Sequence, residues 1–189
     1  ACFLFLFLAV CPTVISAQST ATSPKPHIVM FVSDDMGWNE VGYHGSKIAT
    51  PHIDRLAKEG VQLDRFYVHP VCSPTRSALM TGRLPARFGI TAALTRGASV
   101  PVDEHFMPQT FQKAGYQTFL VGKWHLGDQP EFLPTSQGFD EYYGIPYSND
   151  MWPGLKRWKF PHLPILRGTK VVDQVDDMDE QAELCRLFT

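Results

Sequence analysis

The uninterrupted apolar run Ile28-Val29-Met30-Phe31-Val32 restricts the folds open to this chain more than any other feature. A β-branched-rich run without polar alternation suits a strand covered on both faces, as in a parallel sheet. Further along, Thr50 is placed to cap a helix with Pro51 at its first position. Ile53, Leu56 and Ala57 share one face of that helix, and Gly60 ends it. A second helix opens at Pro108, carries Met107, Phe111 and Ala114 on one stripe, and stops at Gly115. Tyr116 to Val121 then reads as another apolar strand. Strand, helix, strand in this order argues for an α/β domain with a largely parallel sheet. Binding groups in such sheets gather beyond the carboxyl ends of the strands. Chemistry is therefore expected just after residue 32 and just after residue 121.

The N-terminal segment has a different character. Phe3 to Val10 is continuously apolar and leads through Cys11-Pro12 to a small-residue stretch ending Ser16-Ala17. That pattern matches a secretory signal peptide over residues 1–17, too short to span a bilayer. Leu8-Ala9-Val10-Cys11 is similar to a lipoprotein box, but Val10 is larger than the usual residue before the cysteine, so no lipid anchor is expected. Residues 18–26 are Ser/Thr/Pro-rich and read as a linker. Residues 27–189 read as the N-terminal part of a larger domain, because Met178, Ala182 and Cys185 form a helical stripe with no stop signal after it. A net charge of −2 offers no basic surplus for nucleic acid. Removal of residues 1–17 leaves two cysteines, Cys72 and Cys185, for which a disulfide is the plain expectation in an exported protein.

Three short segments are candidates for chemistry. Asp34-Asp35 follows the first apolar run, and two adjacent carboxylates suit a hard cation with oxygen ligands, Ca²⁺ or Mg²⁺, or else a solvated turn. A helix beginning near Ser73 puts Cys72 at its N-terminus and Arg76 on the same side one turn later. An anion-attracting helix end and a guanidinium then surround one sulfur position. Lys123 and His125 follow the strand ending at Val121 and, in extended chain, face the same way, with Trp124 opposite. A cation beside an imidazole suits an anionic ester and its leaving group. Tyr142 to Trp152 is aromatic-rich, fit either to line a sugar or aryl pocket or to pack in the interior.

Together these segments are specific. Cys72-Ser-Pro-Thr-Arg-Ser-Ala-Leu-Met-Thr-Gly82 closely resembles the modification motif of the sulfatase family, whose Cys-x-Pro-x-Arg cysteine a dedicated enzyme oxidises to formylglycine. Asp34-Asp35-Met36-Gly37-Trp38, Gly82-Arg83-Leu84-Pro85, Gly115-Tyr116, Gly122-Lys123-Trp124-His125-Leu126-Gly127 and Gly138-Phe139-Asp140 match that family in the same order. The resemblance covers roughly residues 27 to 150, and departs at Thr75, where the commonest family residue is Ser.

The resemblance implies an alkaline-phosphatase-like α/β fold with a mostly parallel central sheet flanked by helices. It implies Asp34, Asp35 and modified Cys72 as ligands of Ca²⁺ rather than Mg²⁺, and the formylglycine-generating enzyme as a partner. The hydrated aldehyde of residue 72 would attack sulfur with one hydroxyl and expel sulfate with the other. Arg76 would hold that group, Lys123 would neutralise sulfate charge, and His125 would assist proton transfers. The substrate implied is a sulfated small molecule or glycan, and the location extracellular, periplasmic or lysosomal, with no stable membrane anchor. A second Asp-Asn metal pair, another His and another Lys lie further along in the family; Asn149-Asp150 does not match that pair by context. Two other readings compete: a phosphatase or phosphodiesterase of the same superfold, and an exported binding domain built around a Cys72–Cys185 disulfide.

Overall fold

The computed structural model describes residues 24–154 and 160–189. The chain separates into two units, Ala1–Ser33 and Asp34–Thr189. The expected signal peptide, 1–17, and residues 18–23 of the expected linker lie outside the described residues. In the first unit, residues 24–33 carry no regular secondary structure, so the strand expected at 28–32 does not form. A strand exists only as part of a ladder, and no ladder among the described residues includes this run; Phe31 is 90% exposed.

The second unit is built on one four-stranded sheet, β1 (Phe119–Lys123), β2 (Glu141–Ile145), β3 (Leu163–Arg167) and β4 (Lys170–Val175), ordered as in the chain. β1 and β2 are parallel, whereas β2–β3 and β3–β4 are antiparallel, so the described sheet is mixed. β3 and β4 form a hairpin whose two-residue loop begins at Gly168 (φ 61°), a left-handed conformation that glycine adopts without penalty. Among the described residues, four α-helices accompany the sheet: α1 (Pro51–Glu59), α2 (Cys72–Thr81), α3 (Met107–Lys113) and α4 (Met178–Leu187).

α1 begins after Thr50 and ends at Gly60, as its terminal residues dictate. Thr50 does not cap it through its side chain. Instead the Thr50 hydroxyl donates to Asp54 Oδ1 (2.8 Å) and accepts from Gly42 N (2.8 Å), tying the turn at 42–44 to the helix. None of α1 is buried, and Leu56 is 68% exposed, so its apolar face is uncovered among the described residues. β1 starts three residues later than the apolar run at 116. Thr118 N donates to Asp140 Oδ2 (2.7 Å) and Thr118 O accepts from Asp140 N (2.9 Å), and the β1–β2 register begins only at Phe119↔Glu141. In α4 the expected stripe of Met178, Ala182 and Cys185 is not the buried one. Leu184 is buried, with Leu187 and Phe188 against the same core, because positions three and four apart share a face.

Strand alternation divides the interior in two. Tyr142 of β2 and Leu166 of β3 join Met80 of α2, Phe106, Trp124 and Leu126 in one core. Ile145, Leu163, Ile165, Val175, Trp152 and Leu184 form the other. Tyr142, Tyr147 and Trp152 are all buried, so the aromatic stretch 142–152 serves packing.

The β1–β2 pairing is unusually close at Gly122↔Gly144. A Cβ on Gly144 would sit 1.9 Å from the Gly122 carbonyl oxygen, a backbone atom that cannot rotate away. Gly144→Ala is expected to part the two strands and destabilise the full-length protein by at least the ~1–3 kcal/mol of core overpacking. Thermal melting checks this; an unchanged melting temperature would contradict the close register.

Candidate active site

The residues around Cys72 follow from the local structure of α2. Val71 is extended (φ −140°, ψ 159°) and the helix begins at Cys72. Pro74 falls in the first turn, where its missing N–H costs nothing. Gly82 ends the helix in the left-handed conformation (φ 66°), donating to Ala78 O (2.8 Å). Cys72 therefore stands at a helix N-terminus, and Arg76 lies one turn on, its side chain 12% exposed.

β1 brings the second group. Lys123 is its last residue, and Trp124 N and His125 N continue past it by donating to Ile145 O and Pro146 O (both 3.0 Å). Trp124 turns into the core, where its indole N–H donates to Phe132 O (2.9 Å). His125 leaves extended conformation altogether (φ 61°), which aims its ring at Cys72. His125 Nδ1 lies 3.2 Å from Cys72 Sγ, and the opposite ring nitrogen, Nε2, lies 2.9 Å from Leu94 O. A carbonyl only accepts, so Nε2 carries the proton and Nδ1 presents a lone pair to the thiol.

Asp34 completes the cluster. Its Oδ2 accepts from Lys123 Nζ and lies 3.9 Å from Arg76 Nη2. Arg76 also donates to the Lys123 carbonyl (2.6 Å), and Lys123 Nζ donates to Ser148 Oγ (2.9 Å). Two half-buried cations thus face one carboxylate, leaving a surplus positive charge beside Cys72. The structure brings together five of the residues singled out from the sequence: Asp34, Cys72, Arg76, Lys123 and His125. Asp35 is the exception; it is left-handed (φ 56°) and makes no ion pair among the described residues. Cys72 and Cys185 are both free thiols, so no disulfide joins them.

The model of the sulfatase family matches residues 26–179. The chain belongs to the sulfatase family. It is 39% identical to mouse N-acetylgalactosamine-6-sulfatase over 188 residues, covering 89% of this chain and 36% of that protein. Among solved structures, this sulfatase chain superposes on PsFucS1 sulfatase from Pseudoalteromonas sp. with a TM-score of 0.71 at 30% identity, covering 82% and 37% of the two chains. Ps i-CgsB in complex with k-i-k-neocarrahexaose gives a TM-score of 0.63 at 39% identity, covering 76% and 36%. The chain spans about a third of the length of these relatives. The alkaline-phosphatase-like class expected from the sequence stands.

Ser148 and Leu94 were not singled out from the sequence, and Tyr142 entered only as the start of the aromatic-rich stretch 142–152. Ser148 and Leu94 belong to no motif, and Leu94 acts through its backbone, which leaves no signature in residue identity. Tyr142 places its hydroxyl beside Arg76, buried and without a hydrogen-bond partner among the described residues; burial raises its pKa. Asp34 and Asp35 fit a hard cation in donor type. They supply two carboxylates where Ca²⁺ takes about 6–8 oxygens, and no group of three or more His, Cys, Asp or Glu converges among the described residues. Two carboxylates alone are fewer oxygens than such a cation takes.

Burial pushes the His125 pKa from its ordinary 6.5 down to about 4; the Leu94 carbonyl opposes that shift, and Lys123 and Arg76 add to it. The ring is neutral at pH 7. Because the unfolded ring binds protons more tightly, acidification favours the unfolded chain. His125's contribution is complete above about pH 6.5 and is lost as the pH falls toward 4, at a cost approaching ~3 kcal/mol. Urea melts of the full-length protein between pH 7 and 4.5 are expected to show this slope, and His125→Asn is expected to flatten it. An identical slope in the variant would contradict the assignment.

Proposed function

We propose that the full-length protein hydrolyses sulfate esters, with residue 72 as formylglycine and a divalent cation, Ca²⁺, held in part by Asp34, Asp35 and residue 72. The 3.2 Å approach of Cys72 to His125, across 53 positions of chain, carries this reading. It joins a modification motif to a neutral imidazole inside a cationic cluster.

A formylglycine hydrate would supply one hydroxyl to attack sulfur, with the ester alcohol leaving, and a second that would re-form the aldehyde carbonyl as sulfate is expelled. The cation, when bound, adds positive charge where the sulfate oxygens sit. Lys123 Nζ and the Arg76 guanidinium, both held against Asp34, receive the sulfate anion and oppose the charge that grows on its oxygens. Arg76 is locked by the Lys123 carbonyl, so the two cations keep a fixed spacing. His125 Nδ1 accepts a proton from the group at residue 72, with Nε2–H anchored on Leu94 O. Helix α2 directs its positive end at the same point.

The relatives favour a sulfated glycan as substrate, since one is named for N-acetylgalactosamine 6-sulfate chemistry and one structure holds a carrageenan oligosaccharide. We also propose export through the apolar segment at 1–17, modification by the formylglycine-generating enzyme, and neither nucleic-acid binding nor a stable membrane anchor. No helix among the described residues is long and apolar enough to cross a membrane.

The deciding assay offers the modified full-length protein an aryl sulfate, a 6-sulfated amino sugar and the matching phosphate esters. Sulfate release well ahead of phosphate release is the expected result. Preferential release of phosphate would replace this reading by a phosphatase of the same superfold.

A further inference from the structure

Leu94 makes two hydrogen bonds in opposite directions. Its carbonyl accepts from His125 Nε2 (2.9 Å), and its own N–H donates to Ser73 Oγ (2.9 Å). Ser73 is fully buried (0% exposed) in the first turn of α2, directly after Cys72. A single residue, through the two peptide groups that flank its Cα, therefore connects the helix that carries the nucleophile to the imidazole that faces it. The surrounding loop has further anchors, from Gly97 N to Asp128 Oδ1 (3.0 Å) and from Val100 N to Leu126 O (2.9 Å). Both involve residues that follow Leu94 in the chain. Toward α2, the Ser73 hydroxyl holds the Leu94 amide.

We propose that Ser73 is a positioning residue for His125, acting through the Leu94 backbone. Its hydroxyl fixes where the Leu94 carbonyl points. That carbonyl in turn fixes the ring plane of His125 and the nitrogen that keeps the proton. Without the hydroxyl, the Leu94 N–H loses its acceptor, the dihedrals on either side of the Leu94 Cα are less constrained, and the carbonyl of the following peptide group is released to turn. Nε2–H then has no unique partner, and Nδ1–H becomes competitive. A ring protonated at Nδ1 presents a donor to residue 72 instead of a lone pair, and cannot take its proton. This role rests on the proposed catalytic part of His125, but its structural half is measurable without turnover.

The test uses the full-length protein and the variants Ser73→Ala, Ser73→Thr and Ser73→Val. Threonine and valine have the same shape, so their comparison isolates the hydroxyl from any crowding by the added methyl group. Mass spectrometry of residue 72 confirms equal modification before rates are compared. At one fixed pH above neutrality, ¹⁵N resonances of His125 are expected to show the single Nε2–H tautomer in the parent and in Ser73→Thr. A tautomer mixture and faster exchange of the Leu94 amide are expected in Ser73→Ala and Ser73→Val. kcat is expected to fall about tenfold in the alanine variant with KM within about twofold, and threonine is expected to exceed valine by a similar factor. Equal kcat for threonine and valine, with an unchanged His125 tautomer in Ser73→Ala, would overturn the proposal. A tautomer shift in a protein that releases no sulfate would uphold the positioning role and overturn the catalytic reading instead.

Discussion

Cys72→Ser is expected to abolish multiple turnover in the full-length protein. The serine would keep one hydroxyl at the N-terminus of α2, still within reach of His125 Nδ1. It could accept a sulfuryl group once, but it has no second hydroxyl with which to form a carbonyl and expel it. The steady-state rate should fall by on the order of 10⁴-fold or more, as when a nucleophile is removed from other hydrolases. Mass spectrometry is expected to find the serine carrying a sulfate. Sustained turnover at a comparable rate would mean that a single hydroxyl suffices, as in phosphatases.

Lys123→Ala should fail differently. The nucleophile remains, and so does the His125 tautomer, because Leu94 holds the ring independently of Lys123. What disappears is one of the two cations at the sulfate position, together with the partner of Asp34 and Ser148. The expected loss is on the order of 10²–10³ in kcat/KM, or ~3–4 kcal/mol of transition-state stabilisation. No sulfated protein should accumulate, since the release step keeps its chemistry. A loss below about tenfold would show that Arg76 and the bound cation carry the sulfate charge without help from Lys123.

How much of this was legible in the sequence depends on where each residue gets its structure. Cys72 and Arg76 were placed correctly because a helix with Pro74 in its first turn and Gly82 after its last is set by local chemistry. α1 was legible for the same reason, between Thr50 and Gly60. Strands depend on neighbours. Ile28–Val32 has every strand propensity and joins no ladder, while β1 slid toward the C-terminus because Thr118 was claimed by Asp140, twenty-two residues away. The expectation that functional groups lie just after residues 32 and 121 named segments whose Asp34, Lys123 and His125 do meet around Cys72, although the strand that was to end at 32 does not form. It could not foresee the left-handed turn at His125, which only the bonds to Pro146 and Leu94 explain. The β3–β4 hairpin was not read from the sequence, because Pro164 and Asp173 interrupt the apolar alternation of its strands. Ser148 and Leu94 had no local signal, because their roles exist only once β2 and the loop at 90–100 have folded.

The most direct measurement is the mass of the peptide containing residue 72, taken from full-length protein that is releasing sulfate. The account predicts an aldehyde, or its hydrate, in place of the thiol in the fraction that matches the active enzyme. An active enzyme whose residue 72 is an unmodified cysteine, or is joined to Cys185, would contradict it.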